Sequence, residues 1–248
     1  GGAAFIGSNR AHKLVKNGHD VTVLDNYFLG TEENLEQIKD EITLIEGDVR
    51  SRKDLQKALS DDTDVVFHQA AKSSAPHHVE DPVEGLQVNV HGFLKTLEEA
   101  EKAGVQKVVY ASTSSMYGSI RPPHVRHNGE EATNLYSASK MSREQYALAF
   151  GKNHSLDTVG LRYFSVYGPR EKSKGEYANL ISQFLWKMKE GERPVIYGDG
   201  TQTRDFTYVE DVVDANLKAW KDKEAVQEIY DIGTGTETSL NELVSLLN

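Results

Sequence analysis

Six short runs rich in β-branched residues, each separated from the next by longer and more polar sequence, set the limits on what this chain can fold into. They lie at residues 21–25, 42–45, 64–67, 107–111, 158–162 and 228–232. These runs read as apolar throughout rather than alternating, so both faces of each strand need cover. The sequence between them carries helical spacing, most clearly over 82–103 and 136–153. Strands alternating with helices predict an α/β fold with a parallel sheet, and right-handed crossovers make it doubly wound. The stretch from about 170 to 207 is richer in glycine, charge and turns, and marks the start of a smaller second lobe.

The chain opens on Gly1-Gly-Ala-Ala-Phe-Ile-Gly7, which reads as the turn after a strand. A doubly wound sheet places that first strand at its centre, where its backbone groups pair on both sides. The expectation is therefore that the first strand and the C-terminal end are missing from this sequence. The domain expectation follows. Residues 1–168 form the dinucleotide-binding domain, with 207–233 returning to it. Residues 169–206 and 234–248 make a partial substrate lobe.

Composition narrows the function classes. The net charge of -10 argues against a nucleic-acid partner. No apolar run reaches the ~18 residues of a membrane span, and no signal-peptide pattern opens the chain. The absence of cysteine excludes thiolate metal sites and cysteine nucleophiles and fits a cytoplasmic protein. The histidines, among them His77-His78 and the pair at 124 and 127, lack a carboxylate spacing that would make a metal site, so no metal is expected.

Four segments carry chemistry. Gly1 and Gly7 fit a phosphate-binding turn leading into a helix N-terminus, and Asp25 stands where a carboxylate would hold an adenosine ribose and repel a 2′-phosphate, favouring NAD over NADP. Glycine turns before helices are also ordinary structure. Tyr136 and Lys140 share one helix face at a spacing of four. An ammonium beside a phenol favours the phenolate and makes it a usable base. With 11 tyrosines, however, about one such pair is expected by chance. Thr113 and its neighbours Ser112 and Ser114 follow a buried strand, where doubly wound folds place ligands; an ordinary Ser/Thr turn reads the same way. Arg204, beside a glycine-rich turn, can grip a diphosphate or pair with a surface acid.

Taken in order, these segments resemble the extended short-chain dehydrogenase/reductase family, and within it the NAD-dependent nucleotide-sugar 4-epimerases. Further segments carry the resemblance: Val23-Leu-Asp-Asn26, Gly47-Asp-Val49, Phe67-His-Gln-Ala-Ala71, Asn89-Val-His-Gly92, Arg162-Tyr-Phe-Ser-Val-Tyr-Gly-Pro-Arg170 and Arg204-Asp-Phe-Thr-Tyr-Val-Glu-Asp211. The resemblance implies a doubly wound (Rossmann) sheet holding NAD. Gly1, Phe5, Ile6 and Gly7 would line the pyrophosphate turn, and Asp25 and Asn26 would hold the ribose. Asp48 and Val49 would flank adenine, with Ala70, Ala71, Asn89 and Ser112 along the cofactor. Tyr163 and Val166 would approach the nicotinamide, and Lys140 would also bind its ribose. Tyr136 and Lys140 become the acid/base pair and Thr113 the sugar-hydroxyl partner. Ser114, Ser165, Asn179, Leu180, Tyr197 and Arg204 fall to the nucleotide-sugar substrate.

The family's dehydratases usually carry an Asp-Glu pair after the threonine, and its decarboxylases a glutamate at the second position; this chain has Ser114-Ser115. That points to simple epimerisation of a UDP-hexose, UDP-glucose/UDP-galactose first, with the N-acetyl analogues or UDP-glucuronate close behind. A non-catalytic NAD- or nucleotide-sensing protein on the same fold is the reading from another class. The resemblance also implies a homodimer through the helices at 82–103 and 136–153. Three departures stand out: Ala4 for the family's middle glycine, Ser165 for its usual asparagine, and Arg10 at a helix position that is usually apolar, where burial would destabilise.

Overall fold

The computed structural model describes residues 1–118, 120, 124, 126 and 130–248, the side chains at 173 and 176 apart. The chain begins with α1 (Phe5–Lys16), β1 (Val21–Asp25), β2 (Ile42–Glu46), α2 (Arg52–Ala58) and β3 (Val65–His68). Then come α3 (Ala75–Glu80), α4 (Pro82–Leu86), α5 (Gly92–Lys102), β4 (Lys107–Thr113), α6 (Leu135–Asn153) and β5 (Asp157–Tyr163). The remainder supplies β6 (Val166–Tyr167), α7 (Leu180–Lys189), β7 (Thr203–Arg204), β8 (Thr207–Tyr208), α8 (Val209–Lys221), β9 (Glu228–Ile232), β10 (Thr238–Ser239) and α9 (Leu240–Leu247).

Each of the six runs forms a parallel strand. They pair in two blocks: β1 with β2, and β3-β4-β5-β9 in that order. A cavity of about 420 Å³ separates the blocks, bordered by residues of β1 and β3 and by Gly1 and Gly2.

β4 shows why its run reads as continuous rather than alternating. Val108 and Tyr110 pack with Phe93, Leu97 and Ala100 of α5 and Ala147 of α6. Val109 and Ala111 face the other way, toward Leu161, Val212 and Ala219. Successive side chains point to opposite faces, and both faces are roofed by helices. Lys107, which opens the strand, is buried. Its ammonium donates to the carbonyls of Ala219 and Asp222 (3.3 and 2.7 Å), answering acceptors at the C-terminus of α8.

α6 starts with a capping box between Asn134 and Ser137. The amphipathic stretch at 82–103, which the spacing alone reads as one helix, is broken by a π-helical turn over Gln87–His91. α7 and α9 enclose a separate small core of Ile181, Phe184, Leu240 and Leu243. Among the described residues no helix is long and apolar enough to cross a membrane.

Candidate active site

The carboxyl ends of β1, β3, β4, β5 and β9 open into one cleft of about 1010 Å³. This is the end at which doubly wound sheets hold ligands. Its outer end is the glycine turn. A methyl on Gly1 would meet the backbone of Ala70 at 2.4 Å, and one on Gly7 would meet the Gly1 carbonyl at 2.2 Å. Only glycine permits this approach of α1 to the strand ends. Ala4 caps α1 in an extended conformation, with no side chain answering the first-turn N–H groups. Together with Phe5, Ile6 and Gly7 it lines the cleft, so the donors and the positive end of the helix dipole suit a pyrophosphate. In shape and donors this cradle fits NAD. Ala4 has the negative φ that any residue adopts, so its methyl causes no backbone strain.

Asp25 lines the same end but is almost fully buried, and its two oxygens accept the backbone N–H groups of Ala3 (2.9 Å) and Tyr27 (2.8 Å). It therefore ties the glycine turn to β1 as well as facing the ribose position. Beyond it, Asn26 donates to Asp48 (3.0 Å), and Arg50 grips Asp48 through Nε and Nη2 (2.9 and 2.7 Å). That hydrogen bonding, Arg50 first, holds the Asp48 carboxyl down to about 2. Val49 packs under the same floor.

In the middle of the cleft lie Ala70 and Ala71. Asn89 lies behind them, off the cleft and fully buried. Its amide accepts the N–H of Lys72 (2.8 Å) and donates to the Lys72 carbonyl (3.1 Å) and the Ser139 hydroxyl (2.9 Å). Asn89 thus stands on the π-helical turn as a brace between the strand-end loop and α6.

The inner end gathers Ser112, Thr113, Ser114, Tyr136, Lys140 and Tyr163. Thr113 caps the turn after β4, its Oγ accepting the Ser115 N–H (3.1 Å). Lys140 is buried and donates from Nζ to the Ala111 carbonyl (3.2 Å), with Nζ 5.7 Å from the centre of the Tyr136 ring. Burial, then the charge of Arg143, hold Lys140 well below the usual ammonium range. Burial also raises the Tyr136 phenol, while the Thr113 hydroxyl and the Arg143 guanidinium pull it back down. Lys140 Nζ and the Tyr136 ring thus share one face of α6, as the spacing of four predicts.

Ser112 donates to Glu144, which also takes a two-pronged grip from Arg162 (2.9 and 2.8 Å). The Tyr163 hydroxyl accepts from Gln69 and Asn216 (2.9 Å each). Arg10 is buried here, yet it donates to Asn216 (3.2 Å) and the Phe67 carbonyl (3.3 Å) and lies 4.6 Å over the Phe67 ring. The destabilisation expected of a buried arginine is met by these partners.

On the far wall, Ser165, Val166, Asn179 and Arg204 line the cleft. Asn179 caps α7, its Oδ1 accepting the Ile181 N–H (3.1 Å). Arg204 is exposed, lines the cleft and donates from Nη1 to the Thr203 carbonyl (2.7 Å). Two expected substrate residues lie off the cleft: Leu180 packs against the α7–α9 core, and Tyr197 is 86% exposed. The structure adds Phe28, Lys72 and Asp231 to the lining. Lys72 sits 3.4 Å over the Phe28 ring, a contact across loops that no sequence spacing announces. Among the described residues no group of three or more histidines and acids could hold a metal; His127 lies outside them.

Comparison with known proteins agrees with this arrangement. The NAD dependent epimerase/dehydratase family matches residues 1–233. A putative UDP-glucose 4-epimerase of Methanocaldococcus jannaschii is 40% identical over 252 residues, covering 100% of this chain and 79% of that protein. A UDP-N-acetyl-alpha-D-glucosaminuronate decarboxylase of Bacillus cytotoxicus is 36% identical, covering 98% of this chain and 76% of its own length. Among solved structures, the UDP-glucose 4-epimerase of Thermotoga maritima with UDP-glucose superposes with a TM-score of 0.93 at 35% identity, over 100% of this chain and 79% of that one.

Proposed function

Since the chain belongs to the NAD-dependent epimerase/dehydratase family, we propose that it inverts C4 of a UDP-hexose, interconverting UDP-glucose and UDP-galactose. The observation that carries this reading is the convergence of Thr113, Tyr136 and Lys140 at the inner end of a cleft with room for a dinucleotide and a nucleotide sugar. Bound NAD supplies the two-electron acceptor and donor. Gly1, Phe5, Ile6 and Gly7 hold its pyrophosphate, Asn26 and Asp48 stand at the adenosine end, and Lys140 holds the nicotinamide ribose. Tyr136 takes the proton of the sugar 4-hydroxyl as C4 is oxidised to the ketone, and Thr113 orients that hydroxyl. Arg204 and Asn179 anchor the diphosphate while the keto sugar turns over. Tyr136 then returns its proton as C4 is reduced on the opposite face.

Ser114 and Ser115 support epimerisation over dehydration or decarboxylation, because neither brings the carboxyl group those reactions need beside Thr113. Pairing of two copies through the helices at 82–103 and 136–153 belongs to the same reading. Val83 and Leu86 of α4 and Tyr146 of α6 are exposed apolar side chains on those helices, as a homodimer contact would use.

The test is Tyr136→Phe in the NAD-loaded protein, assayed with UDP-galactose. Loss of turnover by roughly 10³-fold with cofactor retained is expected. Unchanged interconversion in a folded, NAD-loaded variant overturns the reading.

A further inference from the structure

We infer that Lys174 is a further cofactor-binding residue, a cation that the segment after β6 lays against the first turn of α1 to neutralise the pyrophosphate of NAD. Lys174 lines the cleft, and its ammonium lies 5.0 Å from the centre of the Phe5 ring. The inference rests on the placement of that pyrophosphate at the glycine turn, given above.

A series of contacts brings Lys174 to this place. The chain leaves β6 across α1: the Asn9 amide donates to the Pro169 carbonyl (2.9 Å), and the Arg170 guanidinium donates to Asn9 Oδ1 (2.8 Å). Asn34 donates to the Arg170 carbonyl (3.4 Å). A short 3₁₀ turn over Lys172–Tyr177 then carries Lys174 to Phe5, the first residue of the helix. Behind it stands Glu171, buried and off the cleft. Its Oε1 accepts from Lys174 Nζ (2.9 Å) and from the Asn179 N–H (3.0 Å), and its Oε2 accepts from the Ser182 hydroxyl (2.6 Å). The ion pair is therefore oriented: its negative end is held inside by the start of α7, and its positive end borders the cleft. An ammonium can donate more than one hydrogen bond, and Glu171 is the one acceptor of Lys174 among the described residues.

The charge answers a need at this end of the cleft. Each phosphate of the pyrophosphate is anionic, and a helix N-terminus offers only roughly half an elementary charge. Asp25, buried under the glycine turn, adds to the negative side. The other side-chain cations of the lining are engaged elsewhere. Arg50 is held by Asp48 (2.7 Å) and Glu84 (3.6 Å), and Lys72 by Glu84 (2.9 Å) while it lies on the Phe28 ring. Lys140 stands beside Tyr136 at the inner end, and Arg204 on the far wall. Glu171 also links the two anionic ligands, because Asn179, whose N–H it accepts, is a residue proposed for the substrate diphosphate. One buried carboxylate thus positions a group for each.

The experiment compares Lys174→Met and Lys174→Arg with the unmodified chain. The readouts are the Kd for NADH by fluorescence, and those for ADP-ribose and adenosine by displacement of NADH, each at low and high salt. Loss of the charge is expected to raise Kd for NADH and ADP-ribose roughly tenfold at low salt and less at high salt. Adenosine, which has no phosphate, should bind as before. Lys174→Arg should keep Kd within about threefold of the unmodified value. In the unmodified chain, ADP-ribose should protect Lys174 from acetylation by acetic anhydride, read by peptide mass spectrometry, and adenosine should not; this arm decides the matter if Lys174→Met does not fold. An unmoved Kd for NADH in folded Lys174→Met, or no protection by ADP-ribose, overturns the inference. An equal loss for adenosine overturns it too, since that marks a distorted site. A loss confined to UDP, measured on the NAD-loaded protein, gives the cation to the substrate and overturns its assignment to the cofactor. If the unmodified chain binds no ADP-ribose, the placement at the glycine turn falls along with Lys174. If the binding results hold and no UDP-hexose is turned over, the proposed function fails and the role of Lys174 stands.

Discussion

The two ends of the cleft are made of opposite electrostatic material. At the outer end, Asp48, Arg50 and Asn26 form a half-exposed cluster in which each charge has a partner. At the inner end Lys140, Arg143, Glu144 and Arg162 are all buried. The outer end gains binding surface at little risk, because solvent screens whatever is imperfect. The inner end holds charges that water would stabilise better, and proton chemistry requires that kind of environment. The contrast teaches where stability and function compete: substitutions outside should weaken both modestly, whereas substitutions inside should separate them.

The largest stability effect should come from Glu144→Gln. Arg162 would lose its two-pronged partner in a buried site, costing about 3 kcal/mol in chemical denaturation. A cost below about 1 kcal/mol would mean that the inner end is not held by its ion pairs. Next is Gly7→Ala at the outer end. A methyl 2.2 Å from the Gly1 carbonyl forces the backbone apart. The expected loss is roughly 1–3 kcal/mol, with weaker retention of NAD on gel filtration. Unaltered stability and cofactor content would show that the glycine turn adjusts freely. Asp48→Asn should do least, at most about 1 kcal/mol at neutral pH. Asp48 in the folded protein titrates at about 2, below its ordinary 3.8, so its contribution is present above about pH 4 and lost as pH falls toward 2. The variant and the unmodified chain should therefore converge in stability at the acid end of that window. A difference that persists there would assign the effect to packing rather than charge.

How far the sequence could be read follows the same division. The strands and α6 were legible because apolar runs and helical spacing are local patterns. Gly1, Gly7, Thr113, Tyr136 and Lys140 were legible as motif positions, and the cleft brings them together. The motif position of Asn89 implies a place along the cofactor, and the fold adds that its amide bonds Lys72 and Ser139. Those contacts coincide with the π-helical turn that breaks the helix read over 82–103, and nothing in the amphipathic spacing marks such a turn. Tyr197 sits near a glycine turn that also carries Arg204, yet only Arg204 reaches the cleft; loop sequence does not tell which way a side chain faces. Arg143 was silent because the Tyr136–Lys140 spacing stops at one helical turn. Whether the next residue on that face is exposed or buried depends on α5 and β4, far off in sequence.

The two-residue strand that carries Arg204 pairs with β10, the residues directly before α9. Asp205 reinforces the tie by accepting the N–H groups of Thr234 and Gly235 (2.9 and 2.8 Å). Mechanically, these segments make a truss. The β7–β10 rungs join the strand of Arg204 to α9, and Leu240 and Leu243 pack α9 on α7, whose first turn is capped by Asn179 on the same wall. The two groups proposed to grip the diphosphate therefore stand on one continuous packed unit rather than on independent loops.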